Sequence, residues 1–396
     1  MEIPDDGGMI RSAVVIPLLL ALASPARADF ASCVASIKSE ASGKGVSSAT
    51  LKAAFDGLQP DPKVLEFEGF QPEFKTPIWD YMAALVDDER VADGRAAMAK
   101  HAKALSEAEQ RFGVSKYVIA AIWGVESNFG GEMGSRPMVQ SLTTLACSGS
   151  RRPAFYRGEL MATLKIADRG DIPLEKLNGS WAGAFGQTQF MPTTFLRLAV
   201  DLDGSGRDIV DNPAAALGST GNYLGKSGWR SGEPWGFEVK LPPGYSGPSG
   251  RKAKAPMSSW ATRGITRVDG RPLGDGSAGL LLPAGADGPA FLVMHNFDVI
   301  YTYNAAESYT LAIAILAQRL AGGQGIVTPW PTDDPGLSRA ERREMQALLT
   351  KHGYDVGAPD GAIGAKTKSA IADFEGKNGL GVDGRASTKV LEALRR

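Results

Sequence analysis

The sequence predicts a mainly α (α+β) protein: a helical core with a small β-rich insertion, followed by a C-terminal three-helix module. Three observations carry this. Apolar residues recur at helical spacing through residues 30–112 and again on Glu307–Ala321. From Gly232 to Val299 the texture changes to short apolar runs, such as Phe237–Leu241 and Phe291–Met294, set between Pro/Gly clusters. Beyond a Pro/Gly-rich stretch the tail from Leu337 has its own caps, turns and apolar positions.

In order, helices are expected at Cys33–Ser42, Ser48–Asp56, Thr76–Leu85 and Val91–Phe112, punctuated by Pro60, Pro62, Pro72 and Pro77. Ser115 is a candidate N-cap and Gly130-Gly131 a candidate stop for the next helix, whose stripe Val118, Ala121, Ile122, Val125 and Phe129 should be buried. A loop then leads to helix Phe155–Arg169. Asn178 to Pro192, rich in glycine and aromatics, reads as irregular, and helices return at Phe195–Val200 and Pro213–Ser227. In the tail, Ser338-Arg339-Ala340-Glu341 has capping-box form, and Asp360-Gly361 and Asp383-Gly384 turns separate three short helices.

The amino terminus carries the one strongly apolar run, Ala13 to Ala23, too short to span a bilayer comfortably and interrupted by Pro17. Arg11 precedes it, and Ala26-Arg27-Ala28 before Asp29 has the form of a signal-peptidase site. The expected organisation is a signal peptide over 1–28, a main domain over 29–322 with its β-rich insertion at about 232–299, a linker over 323–336 and a separate module over 337–396. Export to the periplasm would permit a Cys33–Cys147 disulfide, although two free buried thiols fit the sequence as well. The formal net charge of −1 over 396 residues, without long runs of one sign, gives no bulk attraction to nucleic acid or anionic lipid. Neither a nucleic-acid partner nor a transmembrane anchor after cleavage is expected, and the chain reads as a monomer.

Chemistry enters with Glu126. It lies one turn from Ile122, Trp123 and Phe129, and a carboxyl held among apolar side chains is harder to ionise, which suits a general acid. An ordinary solvated helix glutamate is the competing reading.

Trp123-Gly124-Val125-Glu126-Ser127-Asn128-Phe129-Gly130 resembles the catalytic-glutamate segment of lytic murein transglycosylases of the B type. Ser180-Trp181-Ala182-Gly183-Ala184-Phe185-Gly186-Gln187-Thr188-Gln189-Phe190-Met191-Pro192 resembles their second motif, and Tyr303-Asn304, six residues before Tyr309, is similar to the third. Leu337 to Leu394 resembles a small peptidoglycan-binding module, through Tyr354, Asp360-Gly361, Gly364, Thr367 and Asp383-Gly384.

The resemblance implies a lysozyme-like catalytic core acting on peptidoglycan glycan strands. Cleavage of the β-1,4 bond between N-acetylmuramic acid and N-acetylglucosamine would leave a 1,6-anhydro end. Glu126 would protonate the leaving oxygen and then take a proton from the muramoyl C6 hydroxyl, so one carboxyl replaces the usual glycosidase pair. No carboxylate occurs between Asn178 and Pro192, in keeping with this. Ser180 would bond Glu126, Gln189 would hold an acetamido or hydroxyl group, and Gln187 is a further contact. Phe190, Tyr223 and Tyr309 would offer faces to sugar rings. Asn304, positioned by Tyr303, would sit near developing positive charge. The residues alone also allow Ser180 as a loop cap, Phe190 as core and Tyr223 as the apolar side of its helix. No cofactor is required by this chemistry. Asp201, Asp203 and Ser205 resemble the start of a calcium loop, but Arg207 stands where an oxygen ligand is wanted and no Glu closes it, so a metal-free turn is the stronger reading. A hydrolytic muramidase and a non-catalytic glycan-binding protein are the alternatives.

Overall fold

The structure, a computed structural model, describes residues 25–68 and 76–396. The apolar run Ala13–Ala23, read above as a leader, lies outside the described residues, as does Pro72.

Helices α1 (Pro25–Gly43), α2 (Ser48–Phe55) and α3 (Lys63–Phe67) open the chain. Ser47 caps α2 by accepting the Thr50 N–H. They are followed by α4 (Ile78–Leu85), α5 (Asp88–Lys100), α6 (Ala102–Phe112) and α7 (Lys116–Ser127), the helix that carries Glu126. The single helix expected over Val91–Phe112 is therefore two. The chain bends at His101, where φ is −111° and the ring meets the edge of Trp123 at 5.3 Å. Helix α7 is buried over Val118–Gly124, whereas Val125 and Phe129 of the predicted stripe are only half-buried. Its first N–H is met by the Glu109 carboxylate at 3.0 Å, and no Ser115 side-chain cap forms.

Two-residue strands β1 (Arg136–Pro137) and β2 (Asn178–Gly179) pair antiparallel, joining the segment after α7 to the glycine-rich motif. Between them lie α8 (Met138–Cys147) and α9 (Pro153–Asp168). Helix α8 stands where the sequence reads as a loop. The disulfide Cys33–Cys147 forms and staples α1 to α8. Next come α10 (Pro192–Leu198) and α11 (Pro213–Lys226). Glu159 of α9, 3% exposed, accepts from the Thr193 N–H and hydroxyl, fastening the first turn of α10.

The insertion contains β3 (Gly236–Lys240), β4 (Ala255–Pro256), α12 (Met257–Thr262), β5 (Thr266–Arg267), β6 (Ser277–Leu281) and β7 (Ala290–Val293). Its antiparallel sheet has the order β4-β6-β7-β3-β5, with Phe237 and Leu280 both in register with Leu292. Helices α13 (His295–Tyr301) and α14 (Glu307–Leu320) return to the core, and α14 packs along α7. Among the described residues no helix is long and apolar enough to cross a membrane.

Helices α15 (Arg339–Lys351), α16 (Ala365–Lys377) and α17 (Thr388–Leu394) form the C-terminal module around Met345, Leu349, Ile371, Phe374 and Leu391. The predicted capping box is present: Ser338 and Glu341 satisfy each other's backbone N–H groups. The segment expected as a linker is not loose. Glu238 of β3 accepts the N–H groups of Val327 and Thr328, each at 2.7 Å.

Two large apolar clusters meet beside the motifs. One surrounds α7 and α14, and the other surrounds α8, α9 and α10. Tyr223 and Tyr303 pack against both.

Candidate active site

Glu126 is on the last turn of α7, and two consecutive left-handed residues end that helix: Asn128 at φ 50° and Phe129 at φ 59°. Asparagine tolerates this conformation better than most residues, whereas phenylalanine must be held in it. The holding contacts are visible. The Phe129 ring folds back over α7, meets the edge of Trp123 at 5.6 Å, and lies against Gly94 and Gly124. A Cβ on Gly124 would come within 2.5 Å of the ring. Both glycines are thus needed for close approach.

The glycine-rich motif is fastened to α7 through side chains. Gln187 Oε1 accepts from Trp123 Nε1 at 3.1 Å, and its Nε2 donates to the Val210 carbonyl at 3.0 Å. Ser127 Oγ donates to the Gln187 carbonyl at 2.5 Å and accepts from the Gly130 N–H at 2.9 Å. Gln187 is 5% exposed and both ends of its amide are engaged in this bracing. Gln189, at φ 51°, donates to the Met133 and Gly186 carbonyls at 3.0 and 2.9 Å, clamping the motif to the loop after α7. Ser180 Oγ accepts from the Ala184 N–H at 3.0 Å, the loop-capping role that its position also allowed.

The aromatic residues divide by burial. Phe190 is 2% and Tyr309 is 3% exposed, which corrects the expectation that these rings face sugars. Packing has claimed both. Phe190 lies 5.9 Å from Tyr223 and 6.0 Å from Tyr303, which are themselves 4.8 Å apart, so it backs a tyrosine pair that remains half-buried. The Tyr303 hydroxyl donates to the Thr188 carbonyl at 2.6 Å, and that of Tyr223 to the Thr302 carbonyl at 2.5 Å. Each phenol therefore ties one motif to another element. Asn304 follows Tyr303 in the turn between α13 and α14 and is half-buried, and its carbonyl accepts the Ala306 N–H at 2.7 Å.

The decisive contact was not foreseen. Tyr309 donates its hydroxyl to Glu126 Oε1 at 2.5 Å, across 183 residues of sequence. Burial, and then the Glu126 charge, hold the Tyr309 phenol well above its ordinary range, and the same two causes act on Tyr303. Both therefore remain neutral hydrogen-bond donors. The Tyr309 hydroxyl thus supplies Glu126 with a neutral donor on Oε1.

A buried arginine supports the same helix end. Arg90, pushed down to about 10 by burial, donates Nη1 to the Gly124 carbonyl one turn from the αL pair. Sequence reading missed Arg90 because nothing local marks an α5 residue as a partner of α7.

The resemblance to a calcium loop does not extend to its donors. Asp201 accepts the Gly204 N–H, Asp203 accepts the Ser205 N–H and hydroxyl, and Arg207 forks onto both Asp171 oxygens at 2.8 and 2.7 Å. The carboxylates serve their own turn, and Arg207, standing where an oxygen ligand is wanted, pairs with Asp171, so this donor set does not fit calcium. Among the described residues no group of three or more His, Cys, Asp or Glu is arranged to hold a metal. A cavity of about 1100 Å³ lies elsewhere, around the start of α7, lined by Tyr117, Trp229, Trp235, Arg267 and Gln318.

Comparison with known proteins agrees with this geometry. The Transglycosylase SLT domain family model matches residues 29–318, and a peptidoglycan binding domain model matches residues 338–394. The chain is similar to membrane-bound lytic murein transglycosylase B of Escherichia coli, 34% identical over 245 residues; the match covers 61% of this chain and 66% of that protein, just under two thirds of its length. It is also similar to SltB3 from Pseudomonas aeruginosa, solved in complex with NAG-anhNAM-pentapeptide and with NAG-NAM-pentapeptide. There the identity is 44%, the TM-score 0.74, and the coverage 93% of this chain and 100% of that one. The Escherichia coli lytic transglycosylase Slt35, solved in complex with calcium, is 29% identical with a TM-score of 0.64, covering 73% of this chain and 92% of that one. With helix α7, its braced glycine-rich motif and the C-terminal three-helix module all inside the matched regions, the chain belongs to the SLT transglycosylase family and is a lytic transglycosylase with a peptidoglycan-binding domain.

Proposed function

We propose that this chain cleaves the β-1,4 bond between N-acetylmuramic acid and N-acetylglucosamine using Glu126 as its single acid and base. The observation that carries the reading is the hydrogen bond from neutral Tyr309 to Glu126 Oε1. With Tyr309 holding Oε1, the carboxyl gives its proton to the leaving glycosidic oxygen. As that proton departs, the bond from Tyr309 becomes charge-assisted and strengthens, stabilising the carboxylate when it forms. The carboxylate then takes the proton of the muramoyl C6 hydroxyl, whose oxygen closes on C1 and yields the 1,6-anhydro ring. Two proton transfers and one substrate nucleophile complete the reaction, so no cofactor enters. The uncyclised and anhydro ligands of SltB3, a relative 44% identical to this chain, support the same outcome here.

Gln189 and Asn304 contribute amide groups to the glycan groove, and the half-buried rings of Tyr223 and Tyr303 form its apolar wall. Ser180, Gln187 and Phe190 act behind that wall by fixing the loop. The chain is exported, with residues 1–28 as the leader, and works as a monomer in the periplasm. The Cys33–Cys147 bond supports an oxidising compartment. The catalytic domain extends over 29–322, and the module over 337–396 holds the enzyme on the wall.

Glu126→Gln tests the assignment. It should abolish release of soluble fragments from purified sacculi while binding to them persists. Undiminished release would remove Glu126 from the chemistry. Absence of release by the wild-type chain would favour a non-catalytic glycan-binding protein.

A further inference from the structure

The C-terminal module is fastened to the helix that carries the catalytic acid. Arg339, the first residue of α15, has a side chain only 11% exposed and fans out to three acceptors. Its backbone N–H and Nε reach Asp87 Oδ2 at 3.0 and 3.2 Å, and Nη2 reaches Asp93 at 2.9 Å. Nη1 donates to Asn128 Oδ1 at 2.9 Å. Asn128 is the left-handed residue that ends α7, two positions after Glu126. Asp87 is shared: its other oxygen caps α5 by accepting the Arg90 N–H at 2.6 Å, and Arg90 in turn holds the Gly124 carbonyl. One buried network thus joins the module, the start of α5 and the last turn of α7.

We propose that Arg339 is a positioning residue for the reaction: through it the module fixes the αL turn at Asn128 and so the aim of the Glu126 carboxyl. The proposal rests on Glu126 being the acid. A guanidinium suits the task because its planar fork engages several acceptors at once, which an ammonium cannot do in one geometry. The helix end also carries partial negative charge, which a cation offsets. Other ion pairs hold the module without touching α7: Arg343 to Glu89 at 2.6 Å and Arg385 to Asp80 at 2.7 Å. The module is therefore docked by several contacts, and only some of them bear on the acid.

The test uses the full-length chain on soluble, uncrosslinked glycan strands, with Arg339→Ala, Arg339→Lys, Arg343→Ala and Glu126→Gln measured together. Arg339→Ala should lose on the order of 10-fold in kcat with KM little changed, since a small misplacement of a reacting group costs rate more than binding. Arg339→Lys should recover part of that loss, and Arg343→Ala should keep the wild-type kcat. Equal losses in Arg339→Ala and Arg343→Ala would reduce Arg339 to one docking contact among several, and a wild-type kcat in Arg339→Ala would overturn the proposal outright. Activity surviving in Glu126→Gln would overturn the underlying assignment of the acid, a result separate from either.

Discussion

Tyr309→Phe removes one oxygen and leaves the buried ring in its apolar cluster, so it isolates the hydroxyl bound to Glu126. The Tyr309 side chain is 3% exposed and its hydroxyl lies 2.5 Å from Oε1, too enclosed for bulk water to replace the lost donor. Hydrogen bonds to charged groups contribute about 1.5–3 kcal/mol, more than those between neutral groups. The bond gains that strength only as Glu126 becomes a carboxylate, so the loss falls on the transition state. At about 1.4 kcal/mol per factor of ten, kcat should drop about 10- to 100-fold. KM should stay near the wild-type value, because the hydroxyl removed is the one bound to Glu126 and the ring is kept. Initial rates on soluble glycan strands separate the two constants, and urea unfolding checks that the variant is folded. A kcat within about twofold of wild type, or a loss confined to KM, would refute the role assigned to Tyr309.

Three further outcomes follow from the packing and the titrating groups. Gly124→Ala places a Cβ 2.5 Å from the Phe129 ring, and the enforced shift should cost about 1–3 kcal/mol in urea unfolding and lower kcat as well; a change below about 0.5 kcal/mol would show that the ring is free to move. Cys33→Ser with Cys147→Ser opens a closure of sequence separation 114 and should cost about 2–5 kcal/mol, read from chemical denaturation without reductant, whereas equal stability would mean the bond does not form. Tyr303 and Tyr309 have phenols raised by burial and by Glu126, so their contribution is complete below the unfolded value of about 10. It declines as pH climbs from there towards the folded values, by about 1.4 kcal/mol per pH unit for each phenol. Tyr309→Phe should flatten that alkaline decline, and an unchanged slope in urea midpoints would contradict the burial of the phenol.

Much of the fold could be read directly. Helix α7 and the glycine-rich motif were legible because one has strong apolar periodicity and the other an unusual density of glycine beside aromatics. The insertion was legible from its short apolar runs, although α12 within it is only six residues long and leaves little period to detect. Helix α8 was hidden for a different reason. Ser141, Thr143 and Thr144 are buried together with Leu142 and Leu145, so its inward faces do not read as apolar. At the site, periodicity could place Glu126 near apolar neighbours but not aim it. Its partner Tyr309 stands 183 residues away, and Arg339 lies in another domain 211 residues from Asn128. The fates of Phe190 and Gln187 were equally remote from local pattern. An aromatic ring and an amide suit a sugar groove or a buried brace alike, and only packing assigns them to the second.

In the proposed reaction one carboxyl performs both proton transfers while the substrate supplies its own nucleophile. Mass spectrometry of the fragments released from purified sacculi by the wild-type chain measures this directly. Muropeptides ending in 1,6-anhydro-N-acetylmuramic acid, each lighter by one water than the hydrolytic product, are expected. Fragments that carry that water, with reducing ends, would contradict it.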